Sequence, residues 1–333
     1  MAPDATEALP RRDVIVIGGS AGSLDTLRAI AGALPADFPG TIFVVAHVGQ
    51  SRSILPDLLR KSGKLAASHP REEPIRRGHI YVAPPDRHML IEDGRVCLSR
   101  GPREHFTRPA IDPLFRSAAR ARGARVIGVV LSGGGSDGAE GLAVIQHAGG
   151  LTVVEDPSKA TFPDMPKAAA SVSEPHFLVR AAEIPALLVR LSEEVVSPEV
   201  MRVGESATID MDMNDLEPPV GFSCPECGGS LRLVLKNGLR QYRCHVGHRF
   251  GATEIVEAQS EGIEKGLYVA LRMLNEQAEF ARRMIASAHD APLDNGLVYW
   301  ERLQVQAEEQ IETLRRFLEQ RPVVRVDPET SVA

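Results

Sequence analysis

At 333 residues the chain exceeds what one hydrophobic core usually supports, which points to one large domain with appendages or to two domains. Hydrophobic residues at 43% and charged residues at 25% exclude a disordered or fibrous class. A formal net charge of -6 argues against phosphate-backbone binding, so nucleic acid is not the expected partner.

The first residues, MAPDATEALPRRD, carry no apolar core of a signal peptide, and residues 1–12 read as a disordered start. No apolar run reaches about 18 residues, so the expectation is a cytoplasmic protein without direct membrane insertion. From Asp13 to about Arg190, short apolar runs alternate with amphipathic stretches. The runs are VIVIG at 14–18, TIFVVAHV at 41–48, HIYVA at 79–83, VIGVVLSG at 126–133 and LTVVE at 151–155. The intervening helical patterns are LDTLRAIAGAL at 24–34, SILPDLLRKS at 53–62, DPLFRSAARAR at 112–122 and AEGLAVIQHAGG at 139–150. Such alternation predicts an α/β fold with a doubly wound, mostly parallel sheet. In RHMLIEDGRVCLS, Asp93-Gly94 between two alternating runs predicts an antiparallel β-hairpin and makes part of the sheet antiparallel.

Residues 196–220 are polar and acidic and read as a linker. A compact Cys/His segment follows over 221–251, then two long helical patterns, roughly 253–288 and 295–319, parted by the breaker HDAPLDNG. These predict a helical hairpin over 252–320, with 321–333 as a tail. Leu267, Leu271, Leu274 and Ala278, then Trp300, Leu303, Ile311, Leu314 and Leu318, form a stripe that packs within the hairpin or across a homodimer.

Strand 14–18 runs straight into Gly18-Gly19-Ser20-Ala21-Gly22, a G-x-S-x-G turn between strand and helix that lifts a serine hydroxyl toward backbone N–H groups. A phosphate cradle or a tight packing turn would use similar residues. Neither G-x-G-x-x-G nor G-x-x-x-x-G-K-[ST] is present, so nucleotide binding lacks support. His47 ends the second strand in VVAHVG, and Asp137 lies in LSGGGSDG after a later strand. Singly, these read as a strand cap and a turn aspartate. Together at one sheet edge they suit a Ser-His-Asp triad, in a chain order unlike that of the α/β-hydrolases.

Six ordered blocks carry a wider resemblance: VIVIGGSAGSLDTL, VVAHVGQSRSILPDLL, IRRGHIYVAPPDRHMLI, HFTRPAIDPLFRSAA, GVVLSGGGSDGAEGL and EDPSKATFPDMPKAA. Over 13–195 the chain resembles the catalytic domain of the chemotaxis protein-glutamate methylesterases. The resemblance implies Ser20 as nucleophile, His47 as general base and Asp137 as orienting carboxylate. It also implies hydrolysis of glutamate γ-methyl esters on a methylated chemoreceptor or receptor-like protein, with deamidation of receptor glutamine at the same sites and no cofactor for the chemistry. Where the family has a serine-threonine pair, this chain has Ser20-Ala21, leaving a supporting hydroxyl missing. Gly134 stands where a family methionine lends its amide to the oxyanion, so the amides of Ala21 and Gly134 are the expected oxyanion support. About a dozen residues precede the first strand, where the family carries a receiver domain, so control through a separate regulatory protein is expected.

Cys224-x2-Cys227 and Cys244-x3-His248 have the spacing of a tetrahedral zinc-ribbon-like site with no open position, hence structural zinc. His245 competes as fourth ligand; His248 is preferred because it follows Gly247 in a turn. The hairpin between the pairs turns at Asn237-Gly238. The segment is similar to the tail of some receiver-less relatives, and protein docking is its expected role. Cys97 reads as a core residue. The alternative to a hydrolase is a non-catalytic or weakly catalytic signalling scaffold docking partners through the zinc module; a nucleic-acid-binding ribbon ranks third.

Overall fold

The computed structural model describes residues 10–47, 53–197, 219–236, 239–288 and 297–320. Residues 1–9 of the start expected to be disordered, most of the linker, the expected Asn237-Gly238 turn, the breaker and the tail lie outside the described residues, whereas Arg11 bridges Val195 and Arg12 is buried, so order reaches further toward the N-terminus than expected. The chain divides into two compact units, 1–252 and 253–333.

The first unit begins with strands β1 (Val14–Gly19), β2 (Thr41–Ala46), β3 (Ala66–Ser68), β4 (His79–Val82), β5 (His88–Glu92), β6 (Arg95–Ser99), β7 (Val126–Val130), β8 (Leu151–Glu155) and β9 (Phe177–Val179). Seven of them form one sheet in the order β3-β4-β2-β1-β7-β8-β9, and every pairing in it is parallel. The strands are near-continuously apolar because helices cover both faces. Ile15, Ile17, Ile42 and Val44 point into one core with α1 (Leu24–Ala33), α2 (Leu55–Ser62) and the later α6 (Ile184–Glu193). Val14, Val16, Phe43 and Val45 point into the other, against α3 (Ile111–Arg122), α4 (Ala139–His147) and α5 (Asp164–Val172).

The predicted hairpin is present, with Leu90 opposite Cys97, but it does not extend the main sheet. Met89, Ile91 and Val96 instead seal it onto the second core, beside α3. Cys97 itself is only half-buried. Three elements carried no readable sequence signal. Strand β3 is Ala-Ala-Ser, β9 has three residues, and α5 holds Pro166 in its first turn, where a missing N–H is tolerated.

Past the undescribed stretch, β10 (Pro219–Ser223), β11 (Ser230–Lys236), β12 (Leu239–Cys244) and β13 (Arg249–Phe250) make a four-stranded antiparallel sheet. The register runs from Leu231 opposite Cys244 to Lys236 opposite Leu239. In the second unit, α7 (Ala252–Ala288) and α8 (Leu297–Gln320) close on Ala278, Ala307 and Ile311, with Leu271 and Leu274 against them. Phe280 meets Trp300 edge-on at 5.7 Å. Part of the apolar stripe is thus spent within the hairpin. Among the described residues no helix is long and apolar enough to cross a membrane.

Helices α1 and α2 touch through Gly63, where an added Cβ would lie 2.1 Å from the Ala31 carbonyl oxygen. Gly63→Ala is expected to destabilise the first unit by about 1–3 kcal/mol through overpacking. Urea unfolding reads this directly; an unchanged midpoint would contradict so close a helix contact.

Candidate active site

From β1 the chain moves outward to β2 on one side and later to β7 on the other, so the strand order reverses there. Open α/β sheets form their crevice at the carboxyl ends of the strands flanking such a switch point. Ser20 follows β1, His47 follows β2, and Asp137 lies in the loop after β7. The β1–β2 register pairs Gly19 with Ala46, which sets the next residues, Ser20 and His47, side by side. Two backbone bonds fix them: His47 N–H donates to the Gly19 carbonyl at 3.2 Å, and Ser20 N–H donates to the Ser132 carbonyl at 2.9 Å.

The serine turn is braced from both sides. Gly22 has φ +81°, and an added Cβ would lie 2.7 Å from Ser132 Oγ, so a larger residue is excluded on both counts. The Ser23 hydroxyl donates to the Ser20 carbonyl at 2.7 Å, and the Ser132 hydroxyl donates to the Ala21 carbonyl at 2.9 Å. The turn thus has hydroxyl support from Ser23 and Ser132, although Ala21 supplies none. Ala21 and Gly134 stand exposed at the lip of the crevice. Gly133 passes directly over the serine, its missing Cβ only 2.7 Å from Ser20 Cβ, with its own N–H bound to the Phe162 carbonyl.

His47 Nε2 lies 2.9 Å from Asp137 Oδ2. The aspartate is buried, and the first amides of α3 hold it: Ile111 N–H donates to Oδ2 at 2.7 Å and Asp112 N–H to Oδ1 at 3.0 Å. A helix N-terminus is a fitting seat for a carboxylate. Burial pushes the Asp137 carboxyl up, but the His47 hydrogen bond, the nearby His105 and the Ile111 amide outweigh it and hold it below the ordinary range. An ionised Asp137 only accepts hydrogen bonds, so His47 carries its proton on Nε2 and leaves Nδ1 as the basic nitrogen. The ring is therefore turned relative to the triads in which Nδ1 meets the carboxylate.

Behind Asp137 sits a second polar layer that sequence reasoning missed. His105 Nε2 lies 3.0 Å from Asp112 Oδ2, and Asp112 Oδ1 accepts from Gly141 N–H at 2.7 Å. Burial pushes the Asp112 carboxyl up to about 6, with His105 opposing and the charges of Asp137 and Glu140 adding to the rise. Glu140 is held low against its burial by Arg116 and Arg249. An acidic residue two places into a helix next to two prolines, as in RPAIDP, was the available signal.

Cys224, Cys227, Cys244 and His248 converge at the ends of the β10–β13 sheet, their ligand atoms within 4.8 Å of one another. Cys227 and Cys244 sulfurs lie 3.7 Å apart, and His248 Nδ1 lies 3.5 Å from Cys244 Sγ and 3.7 Å from Cys224 Sγ. A zinc tetrahedron with bonds of about 2.3 Å to sulfur and 2.0 Å to nitrogen has edges of roughly 3.5–3.8 Å. Amides of Glu226 and Cys227 serve Cys224, and those of Val246, Gly247 and His248 serve Cys244, the outer-shell support that thiolate ligands need. His245 packs against Gly229 and does not join the set.

The model of the CheB methylesterase family matches residues 15–188, just over half of the chain. The chain belongs to that family. A Leptospira interrogans relative is 38% identical over 184 residues, which cover 54% of this chain and 95% of that protein. An Anaeromyxobacter dehalogenans protein named protein-glutamate methylesterase/protein-glutamine glutaminase 2 is 38% identical over 192 residues, 57% of this chain and 56% of its own length. The crystal structure of the Thermotoga maritima CheB methylesterase catalytic domain is similar at a TM-score of 0.52 and 29% identity, covering 54% of this chain and 98% of that one.

The raised Asp112 carboxyl has a sign. Its folded value of about 6 exceeds the unfolded value of about 3.9, so it contributes stability below pH 4 that is lost as pH rises through 6. The stability of the wild type relative to Asp112→Asn should therefore fall between pH 4 and 6, by at most about 3 kcal/mol. Urea titrations at successive pH values measure it; a difference that grows with pH would refute the raised carboxyl.

Proposed function

We propose that the chain hydrolyses γ-methyl esters of protein glutamates, with Ser20 as nucleophile, His47 as general base and Asp137 as orienting carboxylate. The observation that carries this reading is the 2.9 Å His47–Asp137 contact, set beside the G-x-S-x-G turn by the β1–β2 register. Ser20 Oγ attacks the ester carbonyl carbon while His47 Nδ1 takes its proton. The tetrahedral oxyanion collapses to an acyl-enzyme, and methanol leaves with the proton from His47. Water then repeats the sequence and frees the carboxylate and Ser20. The amides of Ala21 and Gly134, at the exposed lip, are assigned to the oxyanion. Attack on a glutamine side chain follows the same steps with ammonia as leaving group, consistent with the paired activities in the names of the relatives.

The substrate is assigned as a methylated chemoreceptor or receptor-like protein in the cytoplasm, with residues 13–195 as the hydrolase domain. Zinc on Cys224, Cys227, Cys244 and His248 is assigned a structural role in residues 221–251, since all four positions are protein ligands. The exposed Ile263, Met273 and Phe280 of α7 and Val298, Val305 and Phe317 of α8 support a docking role for the helical hairpin, with a second copy or a regulatory protein as occupant. A scaffold without catalysis has no observation in its favour.

Ser20→Ala is expected to abolish methanol release from a methylated receptor fragment without changing the fold, and His47→Gln or Asp137→Asn to slow it by about 10³-fold or more. Wild-type turnover by the serine variant would remove the triad assignment. The purified chain should hold about one zinc, and Cys244→Ser should lose it, as read by elemental analysis; full zinc in that variant would reject the ligand set.

A further inference from the structure

The four-stranded module does more than stand beside the hydrolase sheet: it reaches the layer behind the triad. Strand β13 lies on the segment 104–107, where the Arg249 carbonyl accepts from His105 N–H at 2.9 Å and the rings of Phe106 and Phe250 meet at 4.6 Å. Arg249 Nη1 lies 3.3 Å from Glu140 Oε2, an oxygen shared with Arg116 at 3.0 Å. Arg116 grips both oxygens of Glu104, at 2.6 and 2.8 Å, and Gln241 of β12 also serves Glu140. The turns carrying the proposed metal ligands touch the residues just before that segment. Glu226, between Cys224 and Cys227, pairs with Arg103 at 3.5 Å, and Gly247 backs onto Pro102.

What these contacts hold is conformationally costly. His105 and Phe106 have φ values of +51° and +58°, two successive side chains in the left-handed region, at about 1–2 kcal/mol each. Such a conformation persists where its surroundings over-determine it, and β13 supplies those surroundings. In that conformation His105 meets Asp112, whose amide in turn binds Asp137 Oδ1. A continuous path runs from the ligand His248 through Arg249, His105, Asp112 and Asp137 to His47.

We propose that Arg249 is a positioning residue for ester hydrolysis: its guanidinium holds Glu140 in place while its carbonyl holds the His105 backbone, so that Asp112 and Asp137 keep His47 aligned. The proposal rests on the hydrolase reading above. Arg249 touches no reacting atom; it acts through the 104–107 segment and the first turn of α4. Groups that align a catalytic side chain from a distance matter because a misplacement of about 1 Å can cost about 10²-fold in rate.

The test uses the full chain with its zinc, a fluorophosphonate that labels an activated serine, a small methyl ester, and the low-field proton resonance of the His47–Asp137 hydrogen bond. Wild-type labelling at Ser20 tests the hydrolase reading by itself, and its failure would sink that reading and this proposal together. With Ser20 labelled, Arg249→Ala is expected to slow labelling and kcat about tenfold, keep KM for the small ester within about twofold, and shift the low-field resonance at full zinc content. Arg249→Lys should recover part of the rate, since it keeps the charge without the fork. His105→Gln should lose about as much as Arg249→Ala, and the double variant no more than either, because both act through one path. Where Arg249→Ala does not fold, the lysine and His105 variants carry the same comparison. Wild-type labelling with an unmoved resonance in Arg249→Ala, multiplicative losses in the double variant, or losses that track zinc content would each overturn the proposal.

Discussion

The arrangement depends on keeping one buried carboxylate ionised. A charge taken out of water costs several kcal/mol unless hydrogen bonds and opposite charge replace its hydration. Asp137 obtains that replacement from two amides of the α3 N-terminus and from the His47 ring. The amides are available because a helix leaves its first N–H groups unpaired. They point at Asp137 because α3 packs Ile111, Leu114, Phe115 and Ala118 into the core beneath. Apolar packing thus fixes a helix end, the helix end holds a carboxylate, and the carboxylate orients a histidine.

The strand order explains why the histidine ring is turned. His47 and Ser20 leave adjacent parallel strands in register, while Asp137 arrives from β7, on the far side of β1. The Asp137 oxygen reaches Nε2, at the tip of the ring, and the nitrogen nearer the backbone is the one left to act as the base. Triads are defined by roles and geometry, and either ring nitrogen can serve as the base once the other is bound.

Much of this was legible in the residues. Strands 14–18, 41–48, 126–133 and 151–155 announced themselves because both faces are buried, which leaves β-branched runs without alternation. Ser20, His47 and Asp137 could be singled out because each lies just past the end of such a run. The spacing of the cysteines and His248 also matched the cluster that forms, because a four-ligand site constrains local sequence tightly. Less visible were elements whose signal is tertiary. Strand β3 is mostly alanine and pairs only because β4 lies beside it. The hairpin β5–β6 has a local turn signal that says nothing of which surface it covers. Least visible was the layer of His105, Asp112, Glu140 and Arg249, drawn from positions up to 144 residues apart with no motif linking them.

That layer also shows why the module and the hydrolase sheet belong to one compact unit. Glu104 and Glu140 are balanced by Arg116 and Arg249, two charges against two, with Arg116 half-buried and the other three buried. Three of the four come from the segment before α3, from α3 and from α4; the fourth is carried in by β13. Without Arg249 the two glutamates would share one cation, next to Asp112 and Asp137, and an extra buried negative charge raises every neighbouring carboxyl. The His47–Asp137 bond is strongest when Asp137 is fully ionised. The strand that follows His248 therefore supplies charge balance to the same pocket that orients the histidine.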